Sequence, residues 1–175
     1  AFEAFELRDG NKNYFLGKSV LKAVKNINTV INKNLKNIKA SDQKRIDQIL
    51  LKLDGTNNKK KLGANALLAV SLATSKAAAS SKNKELYQYL GNKFLLPKPL
   101  VNIINGGAHA DNNLKIQEFM IRPDSAKNFM DAMEKCFLVI QNLKKILQSK
   151  NLLTNVGDEG GFAPSINSNE EALEM

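Results

Sequence analysis

Tryptophan is absent from this chain, cysteine and histidine occur once each, and aromatic residues make up only 6% of its 175 positions. With Cys136 alone no internal disulfide can form, which fits a reducing compartment. Set between Lys135 and Phe137 in an amphipathic run, Cys136 reads as a buried small hydrophobe. No apolar run approaches the roughly 20 residues that span a bilayer. A basic-then-apolar leader with a cleavage site is lacking too, and so are long-period repeats and low-complexity tails.

Acidic residues are outnumbered. Lys+Arg 26 against Asp+Glu 17 gives a formal net charge of +9, which invites a nucleic-acid or anionic-surface reading. The lysines, however, are scattered along helical stretches in the company of Asn32, Asn34, Asn37, Asn57 and Asn58. Aromatics do not interleave with them and no binding motif accompanies them, so the charge describes a solvated surface better than a nucleic-acid site. What is plentiful is apolar content, 43%, enough to bury a core in one ordinary domain or two small ones.

Along the chain, residues 1–9 alternate in part and predict a short strand, and 10–17 read as a polar turn. Val20, Leu21, Val24, Ile27, Val30, Ile31 and Leu35 then recur every three or four positions, the stripe of an amphipathic helix. Ser41 is placed to cap a second helix carrying Ile46, Ile49, Leu50 and Leu53, which Asp54-Gly55 ends. Residues 62–80 are so rich in alanine and leucine that their helix should be buried on more than one side, and 85–90 supply a last short helical piece.

Leu96-Pro97-Lys98-Pro99 opposes helix and central strand alike and marks a boundary. Beyond it, 100–104 and 116–121 read as two strands of a hairpin-like pair. A long helix follows over 126–148, with Phe129, Met133, Phe137, Ile140, Leu143, Ile146 and Leu147 facing the core. Ser168-Asn169-Glu170-Glu171 opens another helix, in which the chain ends at Met175.

Two stretches between these elements carry side chains suited to chemistry. In Asn155-Val156-Gly157-Asp158-Glu159-Gly160-Gly161-Phe162-Ala163-Pro164, glycines let the backbone turn sharply around two adjacent carboxylates. By spacing alone this is equally an ordinary glycine turn with solvated acids. In Asn105-Gly106-Gly107-Ala108-His109-Ala110-Asp111-Asn112-Asn113, His109 sits on a glycine-rich turn, where ligand contact is plausible, and Asp111 reads as part of the turn's hydrogen bonding. Glu118 lies among Ile116, Phe119 and Ile121. A carboxylate there is either an edge-strand residue facing water or a paired group able to act as an acid.

Together with Glu6-Leu7-Arg8-Asp9-Gly10, Leu53-Asp54-Gly55-Thr56 and Leu62-Gly63-Ala64-Asn65-Ala66, these stretches resemble the enolase family of phosphopyruvate hydratases. The wording of residues 108–113 leans towards its bacterial type. The resemblance implies an α+β amino-terminal domain over 1–92, without its first strands, and the start of an α/β (TIM-type) barrel over 93–175. It implies reversible dehydration of 2-phosphoglycerate to phosphoenolpyruvate in glycolysis, by a cytoplasmic, magnesium-dependent protein that is a homodimer or larger.

By the same resemblance Glu159 matches the proton donor, Glu118 the glutamate near the leaving hydroxyl, and His109 the histidine that contacts the substrate. The family's magnesium ligands and base lysine match nothing in this chain. Opening at Ala1 and closing inside a helix, the chain is expected to be an internal segment, inactive and poorly soluble by itself. The reading from another class is a non-catalytic module that holds nucleic acid or a protein partner with its basic surface.

Overall fold

In the computed structural model, residues 3–157 and 160–175 are described, and the chain divides into two compact units, residues 1–94 and 95–175. Among the described residues no helix is long and apolar enough to cross a membrane.

The first unit is helical. Residues 3–10 form no strand: Phe5 N–H bonds the Asn58 carbonyl and Phe5 C=O accepts from Ala64 N–H. The Asn65 side chain meets both backbone groups of Leu7. The alternation of this segment predicts a strand, but a ladder needs a partner strand, and a loop and a helix start take that place.

Helix α1 (Leu21–Asn26) runs through a π-helical turn (Ile27–Ile31) into α2 (Asn32–Leu35). Ala23 and Ile31 are buried, Ile27 and Leu35 pack on the core, and Leu21, Val24 and Val30 of the expected stripe are exposed. The residues that pack, 23, 27, 31 and 35, are four apart. That spacing drifts off the face of a 3.6-residue helix, and the wider π turn takes up the drift. The helix start is capped from a distance: Asp9 accepts from Leu21 N–H (2.8 Å), Lys22 N–H (2.8 Å) and Ser19 Oγ (2.5 Å). The Ser19 hydroxyl, then the Lys22 N–H, hold its carboxyl below the usual range.

Helix α3 (Gln43–Asp54) is capped by Asp42, whose carboxylate accepts from Arg45 N–H, rather than by Ser41 one residue earlier. Gly55, at φ 68°, ends it in the left-handed conformation that glycine adopts without a Cβ penalty. Ile46, Leu50, Ile31, Leu62 and Leu67 form the core. Each such side chain, fully buried, contributes about 1.5–3 kcal/mol.

Helix α4 (Ala64–Ser81) buries Ala66, Leu67, Ala78 and Ala79 but leaves Leu68 and Leu72 exposed. Its composition suggested burial on more than one side; the neighbouring helices cover only one. The short α5 (Leu86–Leu90) starts with a reciprocal Glu85–Gln88 capping box.

The second unit is built on β1 (Val101–Asn105), antiparallel to β2 (Glu118–Ile121), with Val101 opposite Ile121 and Asn105 opposite Glu118. A third segment joins β1 in parallel at Phe162: Phe162 N–H bonds the Ile103 carbonyl and Asn105 N–H the Phe162 carbonyl, both at 2.8 Å. One antiparallel and one parallel neighbour thus flank β1, and among the described residues no barrel closes.

Helix α6 (Phe129–Ser149) follows, and its carboxy-terminal half is core: Leu143 and Leu147 pack with Ile104, Phe119, Phe162 and Ile166. In its first half the small residues Ala132 and Cys136 are buried, while Phe129, Met133 and Phe137 of the expected stripe are exposed. The buried face runs the length of the helix through 132, 136, 143 and 147, and in the first half the large apolar residues stand one position off it.

Helix α7 (Asn169–Glu174) begins as its sequence requires, Ser168 Oγ accepting from Glu171 N–H at 3.1 Å while Glu171 accepts from Asn167 N–H at 3.0 Å. Ser168→Ala is expected to cost about 1 kcal/mol of helix stability. Faster hydrogen exchange confined to residues 168–174 is the signature; unchanged exchange there would show that the cap contributes nothing.

Candidate active site

The end of β1 sets the site. Asn105 is the last strand residue, Gly106 follows in extended backbone, and residues 107–109 make a single 3-10 turn that carries His109. Gly106 N–H bonds the Gln117 carbonyl (3.0 Å) and Gly107 N–H the Leu114 carbonyl (2.7 Å), so the turn is fastened at two points to the approach of β2. No side chain fits at Gly106: a Cβ there would collide with the Ile116 carbonyl oxygen and Leu114 Cβ. At Gly107 the backbone itself, at φ 54°, favours glycine.

This geometry brings His109 and Glu118 together. His109 Nδ1 stands 3.4 Å from Glu118 Oε1, and the two side chains are 26% and 24% exposed, half-sheltered at the end of the sheet. The ring's other nitrogen, Nε2, is 2.6 Å from the Gln117 side-chain nitrogen. The ring thus meets the Gln117 amide through Nε2, while Nδ1 is the atom that faces the glutamate. Glu118 is therefore no edge-strand carboxylate turned to water.

The glycine loop is fastened to the same strand end. Asn105 is 1% exposed, and its Nδ2 donates to the carbonyls of Gly160 (2.7 Å) and Gly161 (3.1 Å), while its Oδ1 accepts from Asn102 Nδ2 at 2.5 Å. A Cβ at Gly157 would come within 2.6 Å of Asn105 Nδ2, so the loop lies against the amide more closely than any side chain allows. Gly157 N–H to Gly161 C=O (3.1 Å) and Ala163 N–H to Asn155 C=O (3.0 Å) close the loop on itself. Asp158 and Glu159 fall outside the described residues, so the structure places two of the three expected side chains and the backbone on either side of the third.

Reasoning from sequence missed the asparagines. Asp111 is exposed, and the bonds expected of it are made by Asn112, whose Nδ2 donates to the carbonyls of Asn105 (2.9 Å) and Pro164 (3.1 Å) and whose Oδ1 accepts from Leu114 N–H (3.2 Å). The only signal was asparagine itself, a residue with donors and an acceptor, at both ends of one glycine-rich turn. Among the described residues no three His, Cys, Asp or Glu side chains gather into a set that could hold a metal ion.

A strand with a parallel neighbour beyond a long helix and an acid–imidazole pair at its end suits the opening of an α/β-barrel enzyme, while its antiparallel pairing with β2 departs from the all-parallel barrel. Comparison with known proteins agrees. The family model described as enolase, N-terminal domain, matches residues 1–90, and that described as enolase, C-terminal TIM barrel domain, matches residues 93–175. The enolase of Pelagibacter ubique (strain HTCC1062) is 58% identical over 176 residues, an alignment covering 99% of this chain and 42% of that protein. The chain belongs to the enolase family, and it comprises an enolase amino-terminal domain and the start of the TIM barrel.

Proposed function

We propose that this chain supplies the acid side of a phosphopyruvate hydratase site, where 2-phosphoglycerate loses water to give phosphoenolpyruvate. The observation that carries the reading is the His109–Glu118 pair, 3.4 Å apart at the end of a strand to which the glycine loop is also bound. The name of the Pelagibacter relative supports it, although the chain spans less than half of that protein.

In the reaction a base removes the C2 proton, the C2–H electron pair becomes the C2=C3 double bond, and the C3–O bond breaks with its pair on oxygen. Hydroxide is a poor leaving group, so a carboxylic acid must deliver a proton and release water. Glu159 is the proposed donor. Glu118 shares the leaving-group side with it, and His109 contacts the substrate. The base is not assigned within this chain. The same reading makes the protein that carries the chain a cytoplasmic, magnesium-dependent glycolytic enzyme and a homodimer or larger assembly, with no turnover expected of the 175 residues alone.

In the protein that carries the chain, Glu159→Gln should lower kcat for 2-phosphoglycerate dehydration by about 10²–10⁴-fold, the usual worth of a positioned general acid. Glu118→Gln should lower it as well while the thermal midpoint stays put. Wild-type turnover in Glu159→Gln would remove the donor role, and robust dehydration by the isolated chain would refute the division of the site.

A further inference from the structure

The His109 turn and the glycine loop are distant in sequence, and hydrogen bonds from two asparagines hold them to one strand end. Asn105 takes the loop at its upstream carbonyls, Gly160 and Gly161. Asn112 takes it downstream: one amide nitrogen bonds Pro164 C=O at 3.1 Å and Asn105 C=O at 2.9 Å. Pro164 is fully buried and Asn105 nearly so, which makes both carbonyls fixed anchor points. The opposite side of the same amide accepts from Leu114 N–H, closing the turn that began at His109.

All three bonds of the Asn112 side chain thus go to backbone, on three different segments: the strand end, the loop exit and its own turn. Such a residue has no reagent of its own to offer. Its geometry bears on where the turn lies relative to the loop, and hence on how His109 stands to Glu118.

The geometry points to Asn112 as a positioning residue for the proposed dehydration, setting the His109 turn in register with the glycine loop. This rests on the hydratase reading for its kinetic part only. Misplacing a reacting group by about 1 Å can cost about 10²-fold in rate, so the effect belongs in kcat. A substrate still bound by other contacts keeps its KM.

The test uses the protein that carries the chain, with Asn112→Ser, with Asn112→Asp, which keeps an acceptor for Leu114 N–H but loses both donated bonds, and with the exposed Asn113→Ser as control. Dehydration of 2-phosphoglycerate should show kcat down about tenfold to a hundredfold in both Asn112 variants and KM changed less than about threefold, with the control unaffected. Hydrogen exchange followed by mass spectrometry should show residues 107–113 exchanging about tenfold faster while β2 keeps its protection. Unchanged kcat or unchanged exchange at 107–113 would overturn the proposal. So would loss of protection across β1 and β2 in both variants, because Asn112 would then be a folding residue. A wild-type protein that does not dehydrate 2-phosphoglycerate would sink the hydratase reading instead, and the exchange data would still decide the positioning.

Discussion

Asp54→Ala is expected to destabilise the amino-terminal unit by about 2–4 kcal/mol, since each buried polar group left without its partner costs about 1–3 kcal/mol. Asp54 closes α3 and is 2% exposed. Its Oδ2 accepts from Leu62 N–H at 2.7 Å, and its Oδ1 accepts from both the N–H and the hydroxyl of Thr56. Alanine would remove the acceptor and leave those donors behind, at the junction where the 56–62 loop returns to the core through Leu62.

Burial acts to raise the Asp54 pKa, but the bonds from the Thr56 hydroxyl, the Leu62 N–H and the Thr56 N–H outweigh it, and the carboxyl is held below the usual range. A folded-state pKa below the unfolded value of about 3.9 contributes stability that is fully present above that value. The contribution is lost as pH falls through the folded pKa. Urea denaturation at pH 7 should show the deficit, and below about pH 4 it should shrink. The Thr56 and Leu62 amides should lose protection first. A deficit that stays constant down the acid limb would mean that the carboxylate's charge is irrelevant and only its shape matters.

Gly106→Ala should be as damaging to the second unit, by about 3 kcal/mol, at the upper end of what overpacking costs. The backbone at Gly106 is extended, so strain in φ is not the cause. The cause is space. The added Cβ meets the carbonyl oxygen of Ile116 and the Cβ of Leu114, groups that cannot swing aside as a long side chain would. Relief requires the turn to move away from the approach of β2, which breaks the Gly106 N–H to Gln117 C=O bond and separates His109 from Glu118.

The hydratase activity proposed for the protein that carries the chain is therefore expected to fall with its stability. Alanine at the half-buried Gly160, where a Cβ meets nothing within 4 Å, should perturb the packing much less despite its φ of 82°. Comparing melting midpoints of the two variants tests this. Equal losses would show that backbone conformation, and not the tight contact at Gly106, sets the requirement for glycine.

Both variants show where sequence reasoning reached and where it stopped. The stop at Asp54-Gly55 was legible because helix ends have local signals, but nothing local says that Asp54 is bonded to a residue eight positions on. The glycines around His109 were legible as a turn. That Gly106 must be glycine for want of space depends on how Leu114 and Ile116 come back against it, and that Asn112 rather than Asp111 ties the turn down depends on Pro164, in a segment distant in the chain.

By itself the sequence determined the helices over 43–54, 64–81 and 129–149, the paired strands, and, through the wording of several motifs, the family. These follow from side-chain periods of 3.6 and 2 and from caps and turns, which act over a few residues. Tertiary structure alone decided which apolar stripes are covered, why Ala132 is buried where Phe137 is not, and how Asp9 caps a helix from twelve residues away. It alone put His109 beside Glu118. Burial and long-range hydrogen bonds depend on what packs opposite a residue, and that partner is specified by the whole folded unit rather than by the residue's neighbours in the chain.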